Sequence, residues 1–267
     1  MSNSPVITLT TDFGTSDHFV GAMKGVIVGI EPQIRVVDIT HEIAPYDILD
    51  GAFVIAQAWT SFPKGTIHVV VVDPGVGSER RPILAEAGGH VFIAPDNGVL
   101  SMIFDVTKPK VREISNKKYM AREISRTFHG RDIFAPVAAH VAKGARPSSV
   151  GRLIDDCARV DAQPCRISPH VYRGVILKAD RFGNLITNFH VATNSAITVQ
   201  PFELRIADRA IRRLALTFSD APSGELVAIV GSSGYVEIAA NQSSAAKLLG
   251  CGSRTPVELE FYVPAKA

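Results

Sequence analysis

The stretch Ile67–Arg81, "IHVVVVDPGVGSERR", carries the clearest single signal in the 267-residue chain. From Ile67 to Val72 every residue except His68 is β-branched, and the run is too short for a helix. It predicts a strand buried on both faces, as in the middle of a parallel sheet. Pro74, Gly75 and Gly77 end it abruptly. Asp73 therefore falls just past the carboxyl end of a central strand, where open α/β sheets bind their ligands. Taken alone, an aspartate in "DPG" reads as a turn-capping residue, so the remainder of the chain has to decide.

Upstream, "VITLTTD" predicts a strand ending at Asp12. In "GTSDHFVGAMKGVIVGI", Phe19, Met23, Val26, Ile27 and Ile30 fall at helical spacing, with Ser16 or Asp17 as the cap. "IRVVDIT" is the next strand and "YDILDGAFVIAQAWTSF" the next helix, which leads into the valine run. That β-α-β-α-β order requires parallel strands with right-handed crossovers. It gathers Asp12, Asp38 or His41, and Asp73 at one end of one sheet. Downstream, "HVFIAPDNGVL" adds a strand with a polar turn, and "GRDIFAPVAAHVAKG" a further helix.

From about residue 170 the texture changes to short β-type runs separated by Gly, Pro, Asp and Ser, which predicts a small antiparallel barrel or sandwich. "DDCARVDAQPCRISPH" has two prolines and few large apolar residues, as a linker would. The expected organisation is an α/β domain with a mostly parallel central sheet over 1–158, a linker over 159–170, and an antiparallel β-barrel domain over 171–267.

Composition narrows the function. The chain is 46% hydrophobic and 20% charged, with a net charge of +2, so no basic stripe points to nucleic acid. No apolar stretch approaches the ~18 residues of a membrane span. "MSNSPVITLTTDFG" has no basic n-region before an apolar one, and three cysteines form no C-x-x-C pair. Together these predict a cytoplasmic protein with reduced thiols. "GVGSER" lacks the third glycine of a dinucleotide fingerprint and the Lys-Ser/Thr of a P-loop, and "GSSG" is not a nucleophile elbow. The eight histidines show no metal-ligand spacing, so no metal and no cofactor are expected. "FHGRD" at 128–132 is different. A histidine at a helix start, facing an Asp and an Arg from a neighbouring strand end, would make an acid–base constellation.

Seven separated blocks carry a resemblance: "TDFG" (11–14), "APYDILDGA" (44–52), "VVDPGVGSERR" (71–81), "APDNG" (94–98), "FHGRD" (128–132), "DRFGNLITN" (180–188) and "GSSGYVEIAANQ" (231–242). In this order they resemble the S-adenosyl-L-methionine (SAM) hydroxide adenosyltransferases, the SAM hydrolases related to fluorinase and chlorinase. The resemblance implies a homotrimer with SAM held between subunits, and cleavage of SAM by water to adenosine and L-methionine. It assigns Asp12 to the ribose hydroxyls, Tyr46 and Phe182 to the two faces of adenine, and Asn184 to the adenine edge. Asp180 and Ser232 meet the methionine ammonium and carboxylate, with Asp17 assisting. Asp73, Arg80 and His129 match the water-activating trio. Where the halogenating relatives carry Tyr, this chain has Asp73, and where the fluorinase offers a halide-binding Ser it has Gly130. A carboxylate would repel a halide. A SAM- or adenosine-binding sensor without turnover is the alternative from another class; the acid–base trio argues against it.

Overall fold

The computed structural model describes residues 5–262 and consists of two compact units, the first ending at Asp161 and the second starting at Ala162. The first contains β1 (Val6–Thr11), α1 (Phe19–Ile30), β2 (Arg35–Thr40), α2 (Ile48–Ala58), β3 (Ile67–Val71), β4 (Pro82–Ala87), β5 (His90–Pro95), α3 (Ser101–Val106), β6 (Lys110–Glu113), α4 (Ala135–Ala142) and β7 (Leu153–Ile154).

β3 lies inside the sheet, between β1 and β5. Its side chains alternate between two cores. Val69 and Val71 pack with Met23 and Ile27 of α1 and Ala138 of α4; Val70 and Val72 pack with Ile55 of α2 and Ile103 of α3. All four valines are at most 2% exposed. A buried valine stabilises a fold by about 2 kcal/mol, and a strand covered on both faces has no polar side, which is why the sequence does not alternate.

The sheet order is β2-β1-β3-β5-β4-β6-β7. The β1–β2, β1–β3 and β3–β5 pairs are parallel, but β4–β5, β4–β6 and β6–β7 are antiparallel. The mostly parallel sheet expected from the sequence is thus a mixed one. The reason is local: β4 and β5 are joined by Gly88 and Gly89, both at positive φ, which closes a tight hairpin where a parallel connection would need a helix. "PILAEA" opens on proline and carries a glutamate, so its strand character was hidden. At the start of α1 the cap position is His18, without a side-chain hydrogen bond, in place of the expected Ser16 or Asp17. α2 is capped by Asp47, which accepts from the N–H of Leu49 and Asp50.

Residues at the expected linker are not free of structure. Val160 N–H donates to Ser101 Oγ at 2.8 Å and, just before the linker, Ala158 N–H donates to Asp96 Oδ1 at 2.8 Å, which ties the start of this segment to the first unit.

The second unit contains β8 (Cys165–Arg166), β9 (Val171–Ala179), β10 (Leu185–His190), β11 (Phe202–Ile206), β12 (Arg209–Ile211), β13 (Leu214–Ala215), β14 (Leu226–Val230), β15 (Tyr235–Ala240), α5 (Ala245–Leu249) and β16 (Pro256–Phe261). Eight of its strands follow the order β12-β11-β16-β9-β10-β15-β14-β13, with β8 added on β9. Pairing is antiparallel except between β13 and β14. The path is open, but its two end strands are separated by only two residues of chain, so the sheet curls into a half-barrel, and among the described residues it does not close into a barrel. β9 makes the bend: Val171–Val175 pair with β16, and Ile176–Ala179 with β10. The interior is filled by Ile176, Leu185, Phe189, Leu204, Ile238 and Leu259.

Candidate active site

In the first unit, β1 and β3 run parallel and adjacent, so the loops after them emerge together. Asp12 follows β1. Its Oδ2 accepts the backbone N–H of Tyr46 at 2.9 Å. Tyr46 sits directly before the cap of α2 with φ 66°, a left-handed conformation that a tyrosine adopts only under constraint, and its side chain is 72% exposed. Burial pushes the Asp12 carboxyl above its ordinary value, with the hydrogen bond from Tyr46 pulling the other way and the charge of Asp73 adding to the rise.

Asp73 follows β3. The loop from 73 to 81 folds back so that Arg80 donates through Nε to Asp73 Oδ1 at 2.9 Å and through Nη2 to Oδ2, a bidentate pair. The two side chains are only 9% and 5% exposed. Gly77 permits the fold-back: its φ is +77°, and a Cβ there would fall 2.1 Å from the carbonyl oxygen of Arg126. That close approach brings in the segment before α4. Asp132 anchors the segment by accepting from Ser125 N–H at 2.8 Å. His129 then places Nδ1 2.7 Å from Arg80 Nη2. It directly precedes a π-helical turn, Gly130–Phe134, a local irregularity that re-aims side chains at the head of a helix.

The Arg80 contact defines the imidazole. A guanidinium only donates, so Nδ1 accepts, and the single proton of the neutral ring belongs on Nε2. Burial first and then the charge of Arg80 hold the His129 pKa below its ordinary value, which keeps the ring neutral. Asp12, Tyr46, Asp73 and His129 line one pocket of ≈ 430 Å³, whereas Arg80 is not among its lining residues. The pocket's apolar wall is a trio the sequence reading missed: Phe13, Phe19 and Phe128, with ring centroids 5.2 to 6.0 Å apart. Aromatic residues in "DFG", "DHF" and "TFHG" gave the only signal. Asp17 lies exposed in the turn before α1, outside the lining residues. The "APDNG" block proves to be scaffolding: Asn97 Nδ2 donates to Val72 O at 2.8 Å, and Asp96 accepts from Arg81 at 2.6 and 3.0 Å.

In the second unit, Asp180, Phe182, Asn184 and Ser232 line another cavity, of ≈ 980 Å³. The β9–β10 turn is organised by Asp180: Oδ1 accepts from the N–H of Phe182 (2.8 Å) and Asn184 (2.9 Å), and Oδ2 from Asn184 Nδ2 (2.9 Å). That leaves the Asn184 side-chain oxygen outside the turn's hydrogen bonds. The turn leaves Phe182 78% exposed at the cavity mouth. Sequence reading also missed Phe218, Glu237 and Gln242 in this lining; Gln242 is another non-glycine residue at positive φ, 53°. Among the described residues, no group of three or more His, Cys, Asp or Glu is arranged to hold a metal ion.

The family model for the SAM hydroxide adenosyltransferase N-terminal domain matches residues 7–151, and that for the C-terminal domain matches residues 174–258. The chain belongs to the SAM hydroxide adenosyltransferase family. Within this family it is 39% identical to a protein of Salinispora arenicola named (R)-S-adenosyl-L-methionine hydrolase, over 93% of this chain and 95% of that one. It is 30% identical to a fluorinase of Actinoplanes sp., over 90% and 92%. A crystal structure of an uncharacterized conserved protein from Thermotoga maritima superposes with a TM-score of 0.87 at 33% identity, covering 95% of this chain and 99% of that one. The family's two domain models fall on the two units, and both pockets described above lie inside the matched ranges. Among the described residues of this SAM hydroxide adenosyltransferase family member, no helix is long and apolar enough to cross a membrane.

Proposed function

We propose that the protein hydrolyses SAM to adenosine and L-methionine by attack of water on the ribose C5′. The observation that carries this is the Asp73–Arg80–His129 constellation, built on a buried Asp73–Arg80 pair beside the Asp12 carboxylate, in a chain whose curated relatives are named for SAM hydrolysis. The C5′–S bond of a sulfonium breaks with its electron pair passing to sulfur, and methionine departs as a neutral thioether. Departure therefore needs no general acid. Water is the difficult reactant, because it must lose a proton as its oxygen bonds to C5′.

Asp73 accepts that proton. His129 is the poorer candidate: Nδ1 is occupied by Arg80, and the neutral ring carries its hydrogen on Nε2, so it donates to the water and fixes its orientation. Arg80 holds the carboxylate and the imidazole in register and stabilises the developing hydroxide. Hydroxide and sulfonium annihilate charge as they meet, and the apolar phenylalanine wall favours that step by excluding water. The side chains named here supply the chemistry without help from a cofactor.

Asp12 takes the ribose hydroxyls, whose donors would favour its ionised form against the burial that raises its pKa. Tyr46 and Phe182, both exposed aromatic side chains at pocket mouths, hold the faces of adenine, and Asn184 reads its edge. We place the complete site in a homotrimer, with SAM between subunits, in the cytoplasm. Incubating purified protein with SAM tests the reaction directly: adenosine and methionine are expected, and SAM remaining intact over hours contradicts it. Mixing Phe182→Ala chains with Asp12→Ala chains tests the assembly, since hybrid trimers with shared sites regain activity and sites within single chains do not.

A further inference from the structure

We propose that Glu237 is the principal acceptor for the ammonium group of the substrate's amino-acid arm, with Asp180 as a fixed second carboxylate; this rests on the reading of SAM as substrate. Glu237 lines the second unit's cavity together with Asp180 and Ser232. In the sheet it stands opposite Ile186 on one side and Ile229 on the other, an acid between two apolar neighbours. Among the described residues its side chain has neither an ion-pair nor a hydrogen-bond partner. Burial and then the charge of Asp180 push its carboxyl above the ordinary value, as two uncompensated acids in one cavity require.

Asp180 is the less available of the two. Its oxygens already accept three N–H groups from its own turn, so its geometry is spent on holding Phe182 and Asn184 in place. Glu237 has its full accepting capacity left. Its position is also built: a Cβ at Gly231 would fall 1.8 Å from Glu237 Oε1, so the carboxylate occupies the space that any larger residue at 231 would fill. An ammonium brings three donors and a positive charge to this pair of acids, which satisfies both the unpaired oxygens and the repulsion between them.

The test uses the Asp73→Asn background, in which turnover is slow, and compares calorimetric binding of SAM with binding of its analogue in which hydrogen replaces the α-amino group. Glu237→Gln, which keeps the size of the side chain, is expected to weaken SAM binding at least tenfold while binding the analogue as well as, or better than, the unsubstituted protein does. Gly231→Ala, which displaces the carboxylate, is expected to weaken SAM in the same way, and the double variant to be no worse than either. Unchanged SAM affinity in Glu237→Gln, or an equal loss for both ligands, overturns the proposal. Because binding is read without turnover, a protein that binds SAM and fails to cleave it removes the reaction proposed above and leaves this comparison intact.

Discussion

The first unit's pocket draws its polar residues from three distant loops, at Asp12, Asp73 and His129, and joins the last two through one buried arginine. The second unit's cavity is built more simply, from the turn 180–184 and residues of its strands β14 and β15 and the turns beside them. Its charges are acids without a cation, and its aromatic Phe182 stands open to solvent. The first arrangement is a paired set that needs only water to complete it. The second is unbalanced until a cationic ligand arrives. On the proposed reading chemistry and binding are divided accordingly: the Asp73–Arg80 pair is buried and mutually held, whereas Phe182 stands exposed and Glu237 is without a partner among the described residues.

Four predictions bear on this division. The largest effect concerns the stability of the first unit. His68 is fully buried, with Nδ1 2.7 Å from Thr8 Oγ1 and Nε2 3.2 Å from His90 Nδ1, and burial lowers its pKa to about 3. Between its unfolded value near 6.5 and about 3, the unfolded chain binds a proton that the folded chain refuses, so stability falls as pH falls through that window. By pH 3 the loss from this one group approaches roughly 4 kcal/mol. His68→Gln should flatten denaturant-unfolding stability against pH, and an unchanged slope would show that His68 is not the group responsible.

Next in size is Asp73→Asn, which keeps the shape of the side chain and removes the proton acceptor. We expect turnover to fall on the order of 10²-fold or more, with SAM affinity within a few-fold. A fully active variant would make Asp73 a turn residue. Phe182→Ala should act in the opposite sense, weakening SAM binding about tenfold through the loss of one aromatic face, with much smaller change in the single-turnover rate. Because Phe182 is 78% exposed, its removal should leave thermal stability within about 0.5 kcal/mol. The smallest effect is at Asp17: with its side chain outside the pocket lining, Asp17→Ala should change KM less than about twofold. A large increase would return it to the substrate site.

These differences also explain what could be read from the sequence. The valine run and the helical spacing of Met23 and Ile27 are strong periodic signals, and both surface as buried core. The β4–β5 hairpin was hidden because Pro82 and Glu86 disguise its first strand. Asp73 and Arg80 were legible because "DPGVGSERR" brings an acid and a base to one strand end, and the bridge to His129 becomes visible only once Gly77 has let the loop approach Arg126. Glu237 escaped notice for the opposite reason. In "YVEIAA" it occupies an alternating strand position, on the opposite face from the interior residues Val236 and Ile238, that ordinarily faces water, and only the segment Leu216–Phe218 and the Asp180 turn make that face part of a cavity.

The measurement that tests the central claim most directly is a single turnover of SAM in ¹⁸O-labelled water. Attack by water held beside Asp73 places one labelled oxygen on the 5′ position of adenosine and none in methionine, and Asp73→Asn slows the appearance of that label in proportion to its loss of turnover. Label in methionine, unlabelled adenosine, or labelling by Asp73→Asn at the full rate would contradict it.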